Sequence, residues 1–193
     1  MKKKLISLLL SLMVILSFSM SSVYADTNQQ GKIIYISLNR TSLEHLLEIP
    51  IIQKKTSDSG YVALMTTRGD GSNSDQKSFA SIGAGVRANV LDQDYTIFES
   101  LDKDGKEQFK AVTGATPWAI NNLRINRDLN QNSDYGSYGA TLGTLGTILN
   151  ENGLKVALLG NSDIIKNGEL KKIRNLALTC MDKYGRVKSG NVD

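Results

Sequence analysis

The sequence predicts an α/β fold: a mostly parallel sheet with helices on both faces. Short β-branched runs alternate with helical patterns along the chain, which is typical of strands that are connected by helices. The two clearest strand patterns are Lys32–Leu38 and Lys155–Gly160. The clearest helical pattern spaces leucine and isoleucine three and four apart over 142–149, before a glycine suited to a C-cap, Gly153.

The N-terminus has the three parts of a cleavable secretory signal peptide. Three lysines at 2–4 precede the apolar run Leu5–Met20, and Val23-Tyr24-Ala25 offers small or apolar residues to a signal peptidase, with Ala25 last before the cut. A retained membrane anchor is the alternative, but the run has 16 residues and includes four serines, whereas a spanning helix needs roughly 20 strongly apolar residues. We therefore expect a Sec-type signal, secretion or a place in the cell envelope, and no membrane span after cleavage.

Cleavage of residues 1–25 leaves one domain. Residues 26–31 are a polar, flexible leader, and 32–193 are the α/β domain, within the usual length of roughly 100–200 residues. The whole chain has a net charge of +4, but the signal peptide carries three of the lysines and no acid. The exported part is therefore nearly neutral, which removes any charge argument for nucleic acid binding.

The other elements are predicted from apolar periodicity and from turn residues. Pro50 limits the first helix, because the residue before a proline resists helical geometry. Residues 113–138 match neither pattern. The predicted elements are a helix at 41–47, a strand at 61–67, a polar loop at 68–77, a helix at 78–89, short strands at 95–99 and 107–111, a helix at 169–175, a strand at 176–181 and a turn at 183–185.

The chain has one cysteine and one histidine. Cys180 lies in an apolar stretch and closes no internal disulfide, so we expect a buried small hydrophobe rather than a nucleophile. His45 lies in the first predicted helix, where a surface position is expected. One histidine forms no imidazole cluster for a metal.

Three polar segments, 37–40, 78–87 and 160–163, lie at or beyond predicted strand ends, where α/β sheets bind ligands. In the second segment, hydroxyls precede Gly83-x-Gly85 at a predicted helix start, where small residues and free N–H groups favour an anion. The alternative, which these residues alone favour, is that the glycines only permit close packing. The candidate cleft residues are Ser78, Gly83, Gly85, Arg87, Asn161 and Asp163.

Four segments together resemble a known group of proteins. They are ISLNRTSL at 36–43, GYVALMTTR at 60–68, FASIGAGVRA at 79–88 and GLKVALLGNSD at 153–163. In this order they resemble the N-terminal half of uncharacterised envelope proteins of Gram-positive bacteria in the alkaline phosphatase-like superfamily, which also contains sulfatases and cofactor-independent phosphoglycerate mutases. The resemblance covers about residues 31–193, so it implies an incomplete alkaline phosphatase-like fold.

The resemblance implies metal-dependent hydrolysis or transfer of phosphoesters or sulfoesters, with Ser81 as the nucleophile. Asn39 stands where the family has a metal-binding aspartate, and an amide lacks the anionic oxygen that a divalent metal prefers. The family's other aspartate and histidine ligands lie in a C-terminal half. Zinc, manganese or magnesium would therefore bind only if missing residues completed the site, supplied by a complementary C-terminal half or a homo-oligomer.

Two further functions stay open at this stage. The chain can be a non-catalytic binding or structural module of the cell envelope, which the amide at Asn39 and the lack of histidines favour. A small adhesin acting through Arg68-Gly69-Asp70 is the more distant alternative, because such tripeptides often arise by chance.

Overall fold

The computed structural model describes residues 32–38, 41–61, 63, 68–91 and 96–193. Ser37–Asp193 forms one unit, and residues 32–36, outside it, are exposed and have no regular secondary structure. The helices are α1 (Leu43–Leu47), α2 (Pro50–Asp58), α3 (Asp75–Ala84), α4 (Lys103–Thr113), α5 (Ile125–Tyr135), α6 (Thr144–Glu151) and α7 (Ala177–Cys180). The strands are β1 (Ile97–Glu99), β2 (Ile120–Asn122), β3 (Ala157–Leu159), β4 (Ile164–Lys166), β5 (Glu169–Lys171), β6 (Arg186–Val187) and β7 (Ser189–Asn191).

The described strands form three small sheets rather than one. The largest is antiparallel with the order β1-β2-β6, in which Ile97 faces Asn122 and Ile120 faces Val187. β4 and β5 form an antiparallel hairpin, and only β3 and β7 pair in parallel. The predicted fold class, a mostly parallel alkaline phosphatase-like sheet with helices on both faces, is therefore wrong.

Local turn chemistry explains the largest departure from the predicted alternation. The predicted helix at 169–175 begins instead with β5, the second strand of the β4–β5 hairpin. Asn167 and Gly168 have φ of 55° and 82°, the left-handed geometry of a two-residue turn whose twist matches two antiparallel strands. Such a turn returns the chain at once and leaves no crossover helix.

Two predicted strands are helices. Residues 107–111 lie in α4, whose cap Asp102 accepts a hydrogen bond of 2.8 Å from the Gly105 N–H and whose buried side chain is Phe109. The apolar run at 176–181 contains α7, because a short apolar run fits a buried helix as well as a strand.

Three other predicted elements are confirmed, and one is wrong. The helices predicted at 41–47 and 142–149 overlap α1 and α6, and the strand predicted at 155–160 overlaps β3. Ser42 caps α1 by accepting from the His45 N–H. Residues 32–38 have no regular structure although a strand is predicted there. The predicted strand at 61–67 lies mostly outside the described residues.

The main core joins α3, α6 and α7 to strands of two of the sheets. Its fully buried members include Ile120, Ile125, Met181, Val187 and Val192. A smaller cluster surrounds the buried ring of Phe109 on α4. Within the described ranges, no helix combines the length and the apolarity needed to traverse a bilayer.

Glycines set the approach of α3 and α6 to α7. A Cβ at Gly83 would lie 2.5 Å from the carbonyl oxygen of Leu178, and one at Gly146 would lie 2.3 Å from that of Cys180. Real Cβ atoms essentially never come so close to backbone oxygen. Both helices therefore contact the backbone of the α7 region directly.

Candidate functional site

Ser81 lies in the second turn of α3, not at a helix start. The helix begins at Asp75, and Ser74 caps it by accepting from the Lys77 N–H at 3.3 Å. The Ser81 hydroxyl donates to the Lys77 carbonyl at 2.6 Å and accepts from the Ala88 N–H at 2.9 Å. These bonds tie the segment after α3 back to the helix. The role of Ser81 as a nucleophile stays a prediction.

Side chains of α5 hold the same segment from the other side. The Asn89 N–H donates to Asn132 Oδ1 at 3.0 Å, and the Leu91 N–H donates to Asp128 Oδ1 at 3.4 Å. Burial raises the pKa of Asp128 to about 6, although a hydrogen bond from the Asn122 amide opposes the shift. The region around Ser81 is thus a closed polar network that holds the backbone.

The other predicted residues of this segment have structural surroundings. Gly83 contacts α7, and Gly85 ends α3 in the left-handed conformation at φ 72°. Ser78 is half-buried on α3. Arg87 is exposed, with its guanidinium 5.3 Å from the ring centre of Tyr138 and Nη1 donating to the Tyr138 hydroxyl at 3.1 Å. None of these four predicted residues lines the pocket described below.

The predicted metal position, Asn39, lies outside the described residues. Among the residues that the structure describes, no group of three or more His, Cys, Asp or Glu side chains could hold a metal ion. His45 is exposed on α1. Cys180 packs against the core, and burial raises the pKa of its thiol to about 11, which keeps it protonated at neutral pH.

The Arg68-Gly69-Asp70 tripeptide does not present its aspartate to solvent. Asp70 is buried, and its carboxylate accepts a hydrogen bond from the Ser137 N–H. Its backbone is held as well, since its carbonyl accepts from Lys77 Nζ at 2.9 Å. This geometry disfavours the adhesin.

A polar pocket of about 230 Å³ lies beyond the C-terminal end of β3. The loop after β3 forms one wall, the segment after β5 forms a second, and the first turns of α3 contribute a third. The lining residues are Ser37, Asp75, Phe79, Leu159, Gly160, Asn161, Ser162, Ile173, Arg174, Asn175 and Leu176.

Hydrogen bonds fix the loop after β3. The Ser162 N–H donates to the Ile173 carbonyl at 2.8 Å, and the Ile173 N–H donates to Asp163 Oδ1 at 2.6 Å. Asn161 Oδ1 accepts from the Asp163 N–H at 3.0 Å, and its amide donates to the Val192 carbonyl at 2.7 Å. The pocket wall is therefore built before any ligand arrives.

Arg174 is the buried cation of the pocket, with a side chain only 3% exposed. Nη1 donates to the Ile97 carbonyl at 3.2 Å, and Nη2 contacts the carboxylates of Asp193 and, at 3.9 Å, Asp163. Nε is buried and has no hydrogen-bond partner within the described part of the chain. A buried donor without an acceptor costs about 1–3 kcal/mol.

Each of the three predicted segments contributes to the pocket: Ser37 from the first, Phe79 from the second and the loop at 160–162 from the third. Asn161 lines the pocket and Asp163 contacts its cation. α3 reaches the pocket through Asp75 and Phe79, four residues apart and so on one face. Ser81 comes two residues after Phe79, which turns its side chain toward another face of the helix.

Sequence reasoning missed Arg174 and Asn175 because it placed them in a helix at 169–175. One signal could have found Arg174: a charged residue between Ile173 and the apolar run that begins at Leu176. Charged residues in such a stretch are buried only when they are paired.

No family model matches the chain, and the searches of curated proteins and of solved structures found no match either.

Proposed function

We propose that the chain is an exported protein of the cell envelope that binds a ligand in the polar pocket without transforming it. The observation that carries the proposal is the polar pocket beyond β3, whose wall is fixed by hydrogen bonds of Asn161, Ser162 and Asp163. A pocket with fixed walls and a few convergent polar groups is the usual form of a small-molecule site. Export rests on the signal peptide predicted at residues 1–25.

The chemistry of the Ser81 region and of the pocket supports binding over catalysis. The Ser81 hydroxyl already donates one hydrogen bond and accepts another within the protein. A nucleophilic serine needs a general base or a metal to take its proton, and its present acceptor is the Lys77 carbonyl, which is neither. The pocket itself lies elsewhere, and its polar lining consists of amides, hydroxyls, Arg174 and the carboxylate of Asp75.

Cell fractionation tests the proposal. The full chain is expressed in a Gram-positive host, and the medium, wall and membrane fractions are probed for it. We expect processing after Ala25 and recovery in the wall fraction, with release to the medium in the double variant Asp75→Ala/Asn175→Ala, which removes two polar groups of the pocket.

A matched double variant serves as the control. Asp104 lies in the first turn of α4 as Asp75 does in that of α3, and Asn130 is an exposed amide on α5. Asp104→Ala/Asn130→Ala should leave the chain in the wall fraction. Retention in the cytoplasm, or equal release of both double variants, would overturn the proposal.

The resemblance to alkaline phosphatase-like proteins gives a second candidate, a phosphoesterase in which Ser81 is retained as nucleophile. It is tested by hydrolysis of an aryl phosphate with added zinc, manganese or magnesium. Turnover that Ser81→Ala abolishes and Ser57→Ala leaves intact would favour the enzyme. A complementary half or a homo-oligomer stays a prediction, for which sedimentation of the exported chain is the direct test.

A further inference from the structure

The charge around Arg174 indicates what kind of ligand the pocket accepts. Asp193 and Asp163 contact the guanidinium, and Lys172 Nζ contacts Asp193 at 3.2 Å. These four charges cancel. The pocket lining adds Asp75, with no basic residue besides Arg174 among the lining residues. An anionic ligand would therefore gain no net attraction, and a neutral ligand faces no repulsion.

The polar groups that line the pocket include both hydrogen-bond donors and hydrogen-bond acceptors. Asp75 offers acceptors, and the Ser162 hydroxyl and the Asn175 amide offer both donors and acceptors. A ligand that matches this set must itself donate and accept at several neighbouring positions. Alcohol hydroxyls do both, whereas a carboxylate or a phosphate dianion only accepts.

Apolar surface alternates with these polar groups. Phe79 and Leu176 line the pocket beside Leu159 and Ile173. A ligand with an apolar ring face and a polar rim would cover both kinds of surface. The volume of about 230 Å³ is below the roughly 300–1,000 Å³ of common small-molecule sites, so the pocket holds about one ring at a time.

From this combination we infer that the pocket binds a single neutral pyranose unit, as found along an envelope polysaccharide. This inference rests on the proposed function and specifies its ligand class. Asp75 accepts from a sugar hydroxyl, and the Ser162 hydroxyl and the Asn175 amide supply further polar contacts. The sugar ring lies against Phe79 or Leu176.

The test uses N-acetylglucosamine and inorganic phosphate as probes. Binding to the chain purified after export is measured by saturation-transfer NMR on the sugar and by phosphorus NMR on phosphate. We expect saturable binding of the sugar and none of phosphate. Asp75→Ala/Asn175→Ala should raise the sugar Kd at least tenfold, and the matched Asp104→Ala/Asn130→Ala should leave it within twofold.

Arg174 itself is a poor first target, because its side chain also anchors the Ile97 carbonyl and two carboxylates. Arg174→Lys keeps the charge but removes the guanidinium that holds this wall of the pocket in place, and we expect weaker sugar binding. Circular dichroism shows whether this variant is folded. If it is not, the Asp75 and Asn175 variants decide the question, since both residues lie at the pocket without a buried ion pair.

The experiments distinguish failure of the neutral-sugar inference from failure of the proposed function. Phosphate binding that the pocket variants weaken, with no sugar binding, would overturn the neutral-sugar inference and leave a binding module. Retention of the chain on cell walls through the pocket, without affinity for N-acetylglucosamine, would also overturn the neutral-sugar inference and leave a binding module. If no probe binds and the pocket variants leave wall association unchanged, the inference and the proposed function both fall.

Discussion

The α3 segment and the loop after β3 are both rich in glycine and small polar residues, yet they lie in opposite surroundings. Gly83 and Ser81 face other parts of the protein backbone, and their polar groups are satisfied there. The loop at 160–163 ends a strand, opens onto a pocket and leaves a neighbouring donor, Arg174 Nε, unpaired among the described residues. Whether such a segment packs or binds depends on what its backbone meets, which composition does not specify.

The largest effect is expected at Gly83. In Gly83→Val the new Cβ would lie 2.5 Å from the Leu178 carbonyl oxygen, so α3 and α7 must separate. We expect a loss of at least about 3 kcal/mol in the free energy of unfolding, measured by urea denaturation.

Gly139→Ala is the control for Gly83→Val. Gly139 has φ 62° and no atom within 4 Å of a built Cβ, so only left-handed strain remains, about 1–2 kcal/mol. Equal losses at the two glycines would contradict close packing of α3 on α7.

The next effect concerns Asp128, which holds the Leu91 N–H. Burial raises its pKa from 3.8 to about 6, so the folded chain binds this proton more tightly than the unfolded chain. Stability from this group is full below about pH 4 and falls as the pH rises through about 6. We expect a loss of about 3 kcal/mol between pH 4 and pH 7.

Urea denaturation at the two pH values measures this loss. Asp128→Asn should remove that part of the pH dependence, whereas Asp134→Asn, at an exposed position of the same helix, should keep it. A wild-type pH dependence that persists in Asp128→Asn would show that the carboxylate is solvated.

Ser81→Ala should destabilise the chain by about 2 kcal/mol, because the buried Ala88 N–H would lose its acceptor. The control is Ser57→Ala on α2, where an exposed hydroxyl donates to the Lys54 carbonyl, and a change below about 0.5 kcal/mol is expected. Sugar binding should be the same in both variants. A stable Ser81→Ala chain that loses activity or binding would reverse the assignment of the two regions.

The smallest effect is expected at the exposed Arg87–Tyr138 contact. Loss of the cation–π pair in Arg87→Ala should cost about 0.5–1 kcal/mol. A double-mutant cycle with Tyr138→Leu measures the coupling between the two side chains. A coupling energy of zero would show that the contact adds no stability.

Residues with strong local signals were predicted well. The helix start at 41–47, the apolar spacing of α6 and the apolar run that contains β3 each act within a few residues, so the sequence contains their cause. The loop at 160–163 was placed at a strand end for the same reason.

The arrangement of the sheets and the pocket wall formed by the segment after β5 could not be predicted from local signals. The Asn167-Gly168 turn converts a predicted crossover into a hairpin, and this removes the parallel sheet. Arg174 enters the pocket only because Asp163 and Asp193, 11 and 19 residues away along the chain, meet its guanidinium. Such contacts depend on tertiary structure, which neither periodicity nor spacing contains.

The most direct test of the central claim is a titration of the isotope-labelled, exported chain with N-acetylglucosamine, followed by amide NMR shifts. We predict that the shifts change at 159–162 and 173–176 and in the first turns of α3, and that the amide of Ala88 stays unchanged. Changes centred on Ala88 and the Ser81 turn, with none in the loop after β3, would contradict the account.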